Sequence, residues 1–248
     1  MTSRLYPVLS SAGYGWVSRH EGRRLSRAAI AATVAAAQLL FTGCSSKPVV
    51  PDWQMNAHAS SAKAIDAYLN GNARVEALEW TRARTEVART GRPDLLARLE
   101  LMRCAAQVAS LVTGPCEAFE ALRVDAAEPE RAYADYLAGR AAPAQLALLP
   151  EAQRKVATSP ADGMALATIE DPLPRLVAAG VLLQTGRGSP TVIAEAVRTA
   201  SQQGWRRPLL AWLGVQWQRA EAAGDQAAAA ALRRRMVIVE QGSARATR

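Results

Sequence analysis

Lysine, histidine, cysteine and aromatic residues are all scarce in this 248-residue chain. There are three lysines (Lys47, Lys63, Lys155), two histidines (His20, His58) and three cysteines (Cys44, Cys104, Cys116). Aromatic residues make up 5% of the chain. No uncharged apolar run reaches the roughly 20 residues that a spanning helix needs. There is no G-x-x-x-x-G-K-[ST] phosphate loop and no dinucleotide fingerprint after a strand. C-x-x-C and H-E-x-x-H ligand spacings are also missing. The β-branched clusters are Val49-Val50, between prolines, and Val237-Ile238-Val239, too few to build a sheet. Without these parts the sequence assigns no catalytic, cofactor or metal residue, and no enzyme activity is expected.

Ala, Leu and Arg are plentiful. Half of the residues are hydrophobic and 21% are charged, too apolar for a disordered chain and enough for one sizeable domain. Apolar residues recur at helical spacing. Ala73, Ala77, Trp80, Ala83 and Val87 form one stripe. Leu95, Leu99, Met102, Ala106 and Ala109 form a second. Leu210, Leu213, Trp217 and Ala220 form a third. Glycine turns separate them, at Gly71, Gly91, Gly114, Gly139, Gly186, Gly204 and Gly224. Ser159-Pro160, Asp171-Pro172 and Ser189-Pro190 each read as an N-cap side chain before a proline at the first helical position. The expected fold is all-α, about ten helices joined by short loops as stacked antiparallel hairpins.

Residues 1–43 read as a leader. A basic stretch, Arg23-Arg24-Leu25-Ser26-Arg27, precedes a 14-residue uncharged run from Ala28 to Phe41. Thr42-Gly43-Cys44-Ser45 follows. This order resembles the bacterial lipoprotein signal, with Phe41 where Leu is usual. The resemblance implies that Cys44 receives a diacylglyceryl group, that residues 1–43 are cleaved, and that the new amino group is acylated. Ser45 in place of Asp implies sorting to the outer membrane. Residues 44–52, with Pro48 and Pro51, then form a lipidated tether. Residues 53–241 are the expected periplasmic helical domain, and 242–248 a flexible basic tail. The competing reading is an uncleaved single-span anchor. The late start of the basic stretch also predicts that translation begins downstream of Met1, near Val17.

The formal charge is +8, and half of it lies in the leader, in five arginines against Glu21. The remainder is too dilute for nucleic-acid binding, so no nucleic-acid partner is expected. The densest basic runs, Arg206-Arg207 and Arg233-Arg234-Arg235, read as solvated helix faces. Contact with an anionic membrane surface is the sharper alternative.

With Cys44 committed to lipid, Cys104 and Cys116 form an even pair in an oxidising compartment, and a disulfide is expected. A helix running to Val112 rises about 12 Å beyond Cys104. After Thr113-Gly114-Pro115 turns the chain, an extended return of about 13 Å brings Cys116 level.

The one histidine outside the leader, His58, reads as solvent-facing rather than as a catalytic base. The carboxylate pairs Glu117/Glu120 and Glu128/Glu130 read as solvated helix contacts. Trp205, Trp212 and Trp217 read as core, with an exposed aromatic groove as the alternative. Tyr68-Leu69-Asn70-Gly71 echoes Tyr136-Leu137-Ala138-Gly139 at twice the tetratricopeptide period. Leu213-Gly214 with Trp217 resembles part of that repeat's pattern. The implied form is tetratricopeptide-like or an irregular α-solenoid. The expected function is an outer-membrane lipoprotein that contacts the bilayer through acylated Cys44 and serves as a scaffold for an envelope protein partner. A cell-wall-active enzyme or its regulator is the rival.

Overall fold

The computed structural model describes residues 50–159 and 163–246, and every regular element among them is helical. The apolar run at 28–41, Val17 and Cys44 lie outside the described residues. Eleven α-helices occur among the described residues. They are α1 (Asp52–Leu69), α2 (Ala73–Ala88), α3 (Pro93–Ala109), α4 (Glu117–Glu120), α5 (Glu128–Leu137) and α6 (Glu151–Ala157). The rest are α7 (Met164–Ala167), α8 (Pro172–Gln184), α9 (Pro190–Gln203), α10 (Arg206–Ala222) and α11 (Gln226–Ala246). A 3-10 helix, Pro143–Leu148, lies between α5 and α6. No described helix is long and apolar enough to cross a membrane. The last helix continues past residue 241, into the stretch expected to be a tail.

Local start signals hold at two of the three expected pairs of cap residue and proline. The Asp171 carboxylate accepts from the Leu173 amide at 3.1 Å, and the Ser189 hydroxyl accepts from the Val192 amide at 3.3 Å. Ser159-Pro160 departs from expectation. The Ser159 hydroxyl instead donates back to the Lys155 carbonyl at 2.6 Å. The next described helix begins only at Met164, after the left-handed Gly163. A serine in the last turn of a helix has a free carbonyl four residues back, and that bond competes with capping.

The echo at Tyr68 and Tyr136 is a shared way of ending a helix. At the first, Gly71 takes φ +75° and the Asn72 amide donates to Ala67 O at 2.7 Å. At the second, Gly139 takes φ +71° and the Arg140 amide donates to Asp135 O at 2.9 Å. Both are left-handed glycine endings of the Schellman kind, which satisfy the last free carbonyls. In each, the Tyr and Leu of the final turn are buried.

The main core is built on α3, α8, α9 and α10. Helix α8 is buried on all sides through the unbroken run from Leu176 to Leu182, the signature of a helix enclosed by others. It crosses α3 at backbone distance. A Cβ on Gly180 would lie 2.4 Å from the Val108 carbonyl oxygen. A second, smaller core joins α1, α2 and α3 through Ala64, Trp80, Ala83, Val87 and Leu99. In the second predicted stripe Met102 is exposed, and in the first Ala73 and Ala77 are exposed.

Helix α10 closes the arrangement by returning to α1 and α3. The Trp212 indole N–H donates to the Ala109 carbonyl at 3.1 Å. The Arg207 Nε donates to the Tyr68 carbonyl at 2.8 Å, and the Arg206 Nε to the Asn70 carbonyl at 2.9 Å. These acceptors sit at helix C-termini, where carbonyls have no partner within the helix.

Two glycine substitutions separate packing from propensity. Gly180→Ala should destabilise the fold by about 1–3 kcal/mol through overpacking against α3. Gly214→Ala, on α10 with open space around it, should stabilise by about 0.5–1 kcal/mol. Denaturant midpoints of both variants check this; equal effects of one sign would refute the close crossing.

Candidate functional site

Cys104 and Cys116 stand at disulfide distance, with Cα atoms 5.7 Å apart, and both are buried. They join the last turns of α3 to the residue before α4. The route differs from the expected one. Helix α3 ends at Ala109, not Val112. Leu111 adopts φ +62°, and the Val112 amide donates to Gln107 O at 3.0 Å. The turn is a left-handed ending made by leucine where glycine is usual, so no sequence signal marked it.

The carboxylates that sequence paired are not brought together as acid–base partners. Glu117 and Glu128 are exposed. Glu130 reaches across to α3 and accepts from Arg98 Nε at 2.6 Å. Glu120 belongs to a lattice of ions between α4, α5 and the 3-10 helix. It accepts from Arg140 Nη2 at 2.9 Å and from Arg123 Nη2 at 2.8 Å. Arg123 Nη2 also reaches Asp135 Oδ1 at 2.9 Å, and Gln145 donates to Asp135 Oδ2 at 2.9 Å. The Arg123 guanidinium holds Glu120 below the ordinary carboxylate range. Burial pushes Asp135 upward, but the donors Gln145 and Arg123 outweigh it and leave a net downward shift. Carboxylates held ionised in this way accept the hydrogen bonds of the arginines around them.

A second polar cluster is buried between α2 and α3. Glu100 is 2% exposed. Its Oε1 lies 3.0 Å from Arg84 Nε, yet neither carboxylate oxygen accepts a well-aligned hydrogen bond. The Arg103 guanidinium sits over the Trp80 ring at 5.6 Å. Burial raises the Glu100 pKa, and Arg84, Arg103 and the Trp80 side chain only partly offset it. At the edge of this cluster Glu76 draws in Arg103 at 3.5 Å and Arg207 at 3.9 Å. Arg207 lies over the Tyr68 ring at 4.2 Å.

His58 is exposed on α1, and the neighbouring Ser61 hydroxyl donates to the His58 backbone carbonyl at 3.0 Å. No nucleophile–base pair forms there. Trp212 is fully buried core. Trp205 packs half-buried against the core, and Trp217 lies under Arg233 at 4.8 Å. These three do not line an aromatic groove. Of the clefts, one of about 170 Å³ opens beside Tyr136, Leu146, Val181 and Arg187. Another of about 430 Å³ lies along Lys63, Asp66, Asn72 and Val75. Neither sets two carboxylates face to face. Among the described residues no group of three His, Cys, Asp or Glu side chains is placed to hold a metal ion.

The chain matches no family model, no curated protein and no solved structure.

Sequence reasoning missed the buried acids. Glu100 lies three residues after Ala97 and four before Cys104, on a stripe that is otherwise buried, and that spacing was a usable signal. Glu195 is held by Arg175 at 3.3 Å, and Arg175 also donates to the Ile169 carbonyl.

An acid whose pKa rises on folding takes up protons when the chain folds, so its contribution to stability is lost as pH rises. Glu100→Gln, which stays neutral, should therefore unfold at a higher denaturant concentration than the parent at about pH 7. The difference should shrink as pH falls from 7 toward 4.5, since the folded-state pKa lies above that ordinary value. Denaturant titrations across that range test it; a difference independent of pH would contradict it.

Proposed function

We propose that this chain is a lipoprotein of the bacterial outer membrane, anchored through acylated Cys44, whose helical periplasmic body is a scaffold for an envelope protein partner. The observation that carries the reading is the order of basic stretch, 14-residue apolar run and Thr42-Gly43-Cys44. Two facts of the described residues support it. A cysteine pair at disulfide distance suits an oxidising compartment. The carboxylates near one another are matched by arginines, which suits a body built for cohesion rather than for acid–base chemistry.

The anchor is adequate on physical grounds. Each buried methylene contributes about 0.8 kcal/mol, so one acyl chain holds weakly while two or three hold firmly. The body then needs no spanning helix.

Within this reading the body is an irregular α-solenoid of helical hairpins. The pairs α1/α2 and α10/α11, joined by turns of three residues, support the hairpin element. The packing of α3 on α8 and of α10 on α1 favours the irregular form over a strict tetratricopeptide register.

Metabolic labelling with a palmitate analogue tests the anchor. The parent chain should incorporate label and begin at Cys44 once processed, and Cys44→Ala should incorporate none. Equal labelling of the two, or a parent chain that keeps residues 1–43, would overturn the reading.

A further inference from the structure

Helix α11 packs chiefly on α10, along one stripe of Ala229, Leu232, Met236 and Val239. At 100° per residue the opposite meridian of the helix carries Ala230, Arg234, Val237, Ile238 and Gln241. Val237 is 45% exposed and Ile238 70% exposed. Arg234 and Arg235 are exposed and take part in no ion pair among the described residues, whereas Arg233 is drawn to Glu221 and to the Trp217 ring. The only acid of the helix, Glu240, projects to the side of this face.

We infer that this outward face of α11 is a membrane-contact surface that rests on an anionic phospholipid leaflet. Three features select that occupant. Unpaired guanidinium groups with no carboxylate among them call for an anionic partner. The same charge rules out a second copy meeting face to face, since Arg234 would approach its own image. A protein groove would read apolar anchors at i, i+3, i+4 and i+7. From Ala230 that row holds Arg233, Arg234 and Val237, so it lacks the anchors. Two adjacent aliphatics flanked by arginines instead match a helix lying at the headgroup boundary, its charged heads among phosphates and its aliphatics dipping below them. Such a contact orients the body on the leaflet. It does not depend on the acyl anchor, and it is tested without it.

The experiment uses the full chain carrying Cys44→Ala, so that no acylation enters. With Cys104 and Cys116 kept as the oxidised pair, a cysteine added at Gln241→Cys carries an environment-sensitive nitrobenzoxadiazole label, and a second protein carries the label at the exposed Thr81→Cys on α2. Both are titrated with vesicles of phosphatidylglycerol and phosphatidylcholine mixed, and of phosphatidylcholine alone. The expected result is a blue shift at 241 with anionic vesicles, none at 81, and none with phosphatidylcholine. Arg234→Gln with Arg235→Gln should lower partitioning measured at 241 by roughly 25-fold, since each surface arginine is worth about fivefold. Equal shifts at 81 and 241 would mean that the leader alone carries the chain to the vesicle, and would overturn the proposal. So would no shift at 241, equal response to both lipids, or a shift at 241 produced by a polyglutamate solution, the mark of an acidic protein partner. Acylation at Cys44 is read separately by labelling, so either idea fails alone.

Discussion

The fold depends on a joint in which one helix supplies the missing hydrogen bonds of two others. The Ala109 carbonyl at the end of α3 and the Asn70 carbonyl just past α1 accept no backbone N–H among the described residues, whereas the Tyr68 carbonyl is shared with the Gly71 amide at 3.0 Å. Helix α10, more than a hundred residues away in sequence, brings Trp212, Arg206 and Arg207 to those ends. The indole of Trp212 is fully buried, so its N–H must find an acceptor, and the Ala109 carbonyl must find a donor. Each satisfies the other. Arg207 adds a second attachment by lying over the Tyr68 ring while bonding the Tyr68 carbonyl. These bonds tie the first helices of the described chain to α10.

The same device recurs and gives a structural use to the arginine bias. Arg187 donates to the Ala157 and Ser159 carbonyls, Arg219 to Gly188, Arg154 to Ala147 and Arg131 to Ala126. A guanidinium has several donors in a rigid plane and stays charged, so it can satisfy loop carbonyls across a joint where lysine, with a single head, holds less firmly. Arginines that reach carbonyls and carboxylates in this way are spent on cohesion. Arg234 and Arg235, like the exposed Arg74 on α2, make no such bond among the described residues.

Helical class, turn positions and two of the three expected pairs of cap residue and proline were legible, because period, glycine and capping chemistry are local. The disulfide pair was legible from parity and spacing, although the path between the cysteines was not. Leu111 takes a left-handed conformation that only tertiary packing can impose on a leucine. Ser159 was misread because its hydroxyl has two local uses, and the sequence does not say which wins. The burial of α8 on every side depends on Gly180 meeting the Val108 backbone, a contact between residues that no periodicity relates. Glu100 was hidden among hydrophobic neighbours, although its register pointed inward. The lipid signal rests on residues outside the described part, so the reading of the anchor and that of the helical body remain independent lines.

The decisive test of the closure is native-state hydrogen exchange on Trp212→Phe, which keeps an aromatic core residue and deletes the donor to Ala109. The expected result is a loss of protection of about 1–3 kcal/mol shared by amides of α10 and by those in the last turn of α3, whose carbonyl is left buried and unpaired. Faster exchange confined to α10, with α3 unchanged, would contradict the idea that this bond couples the two helices.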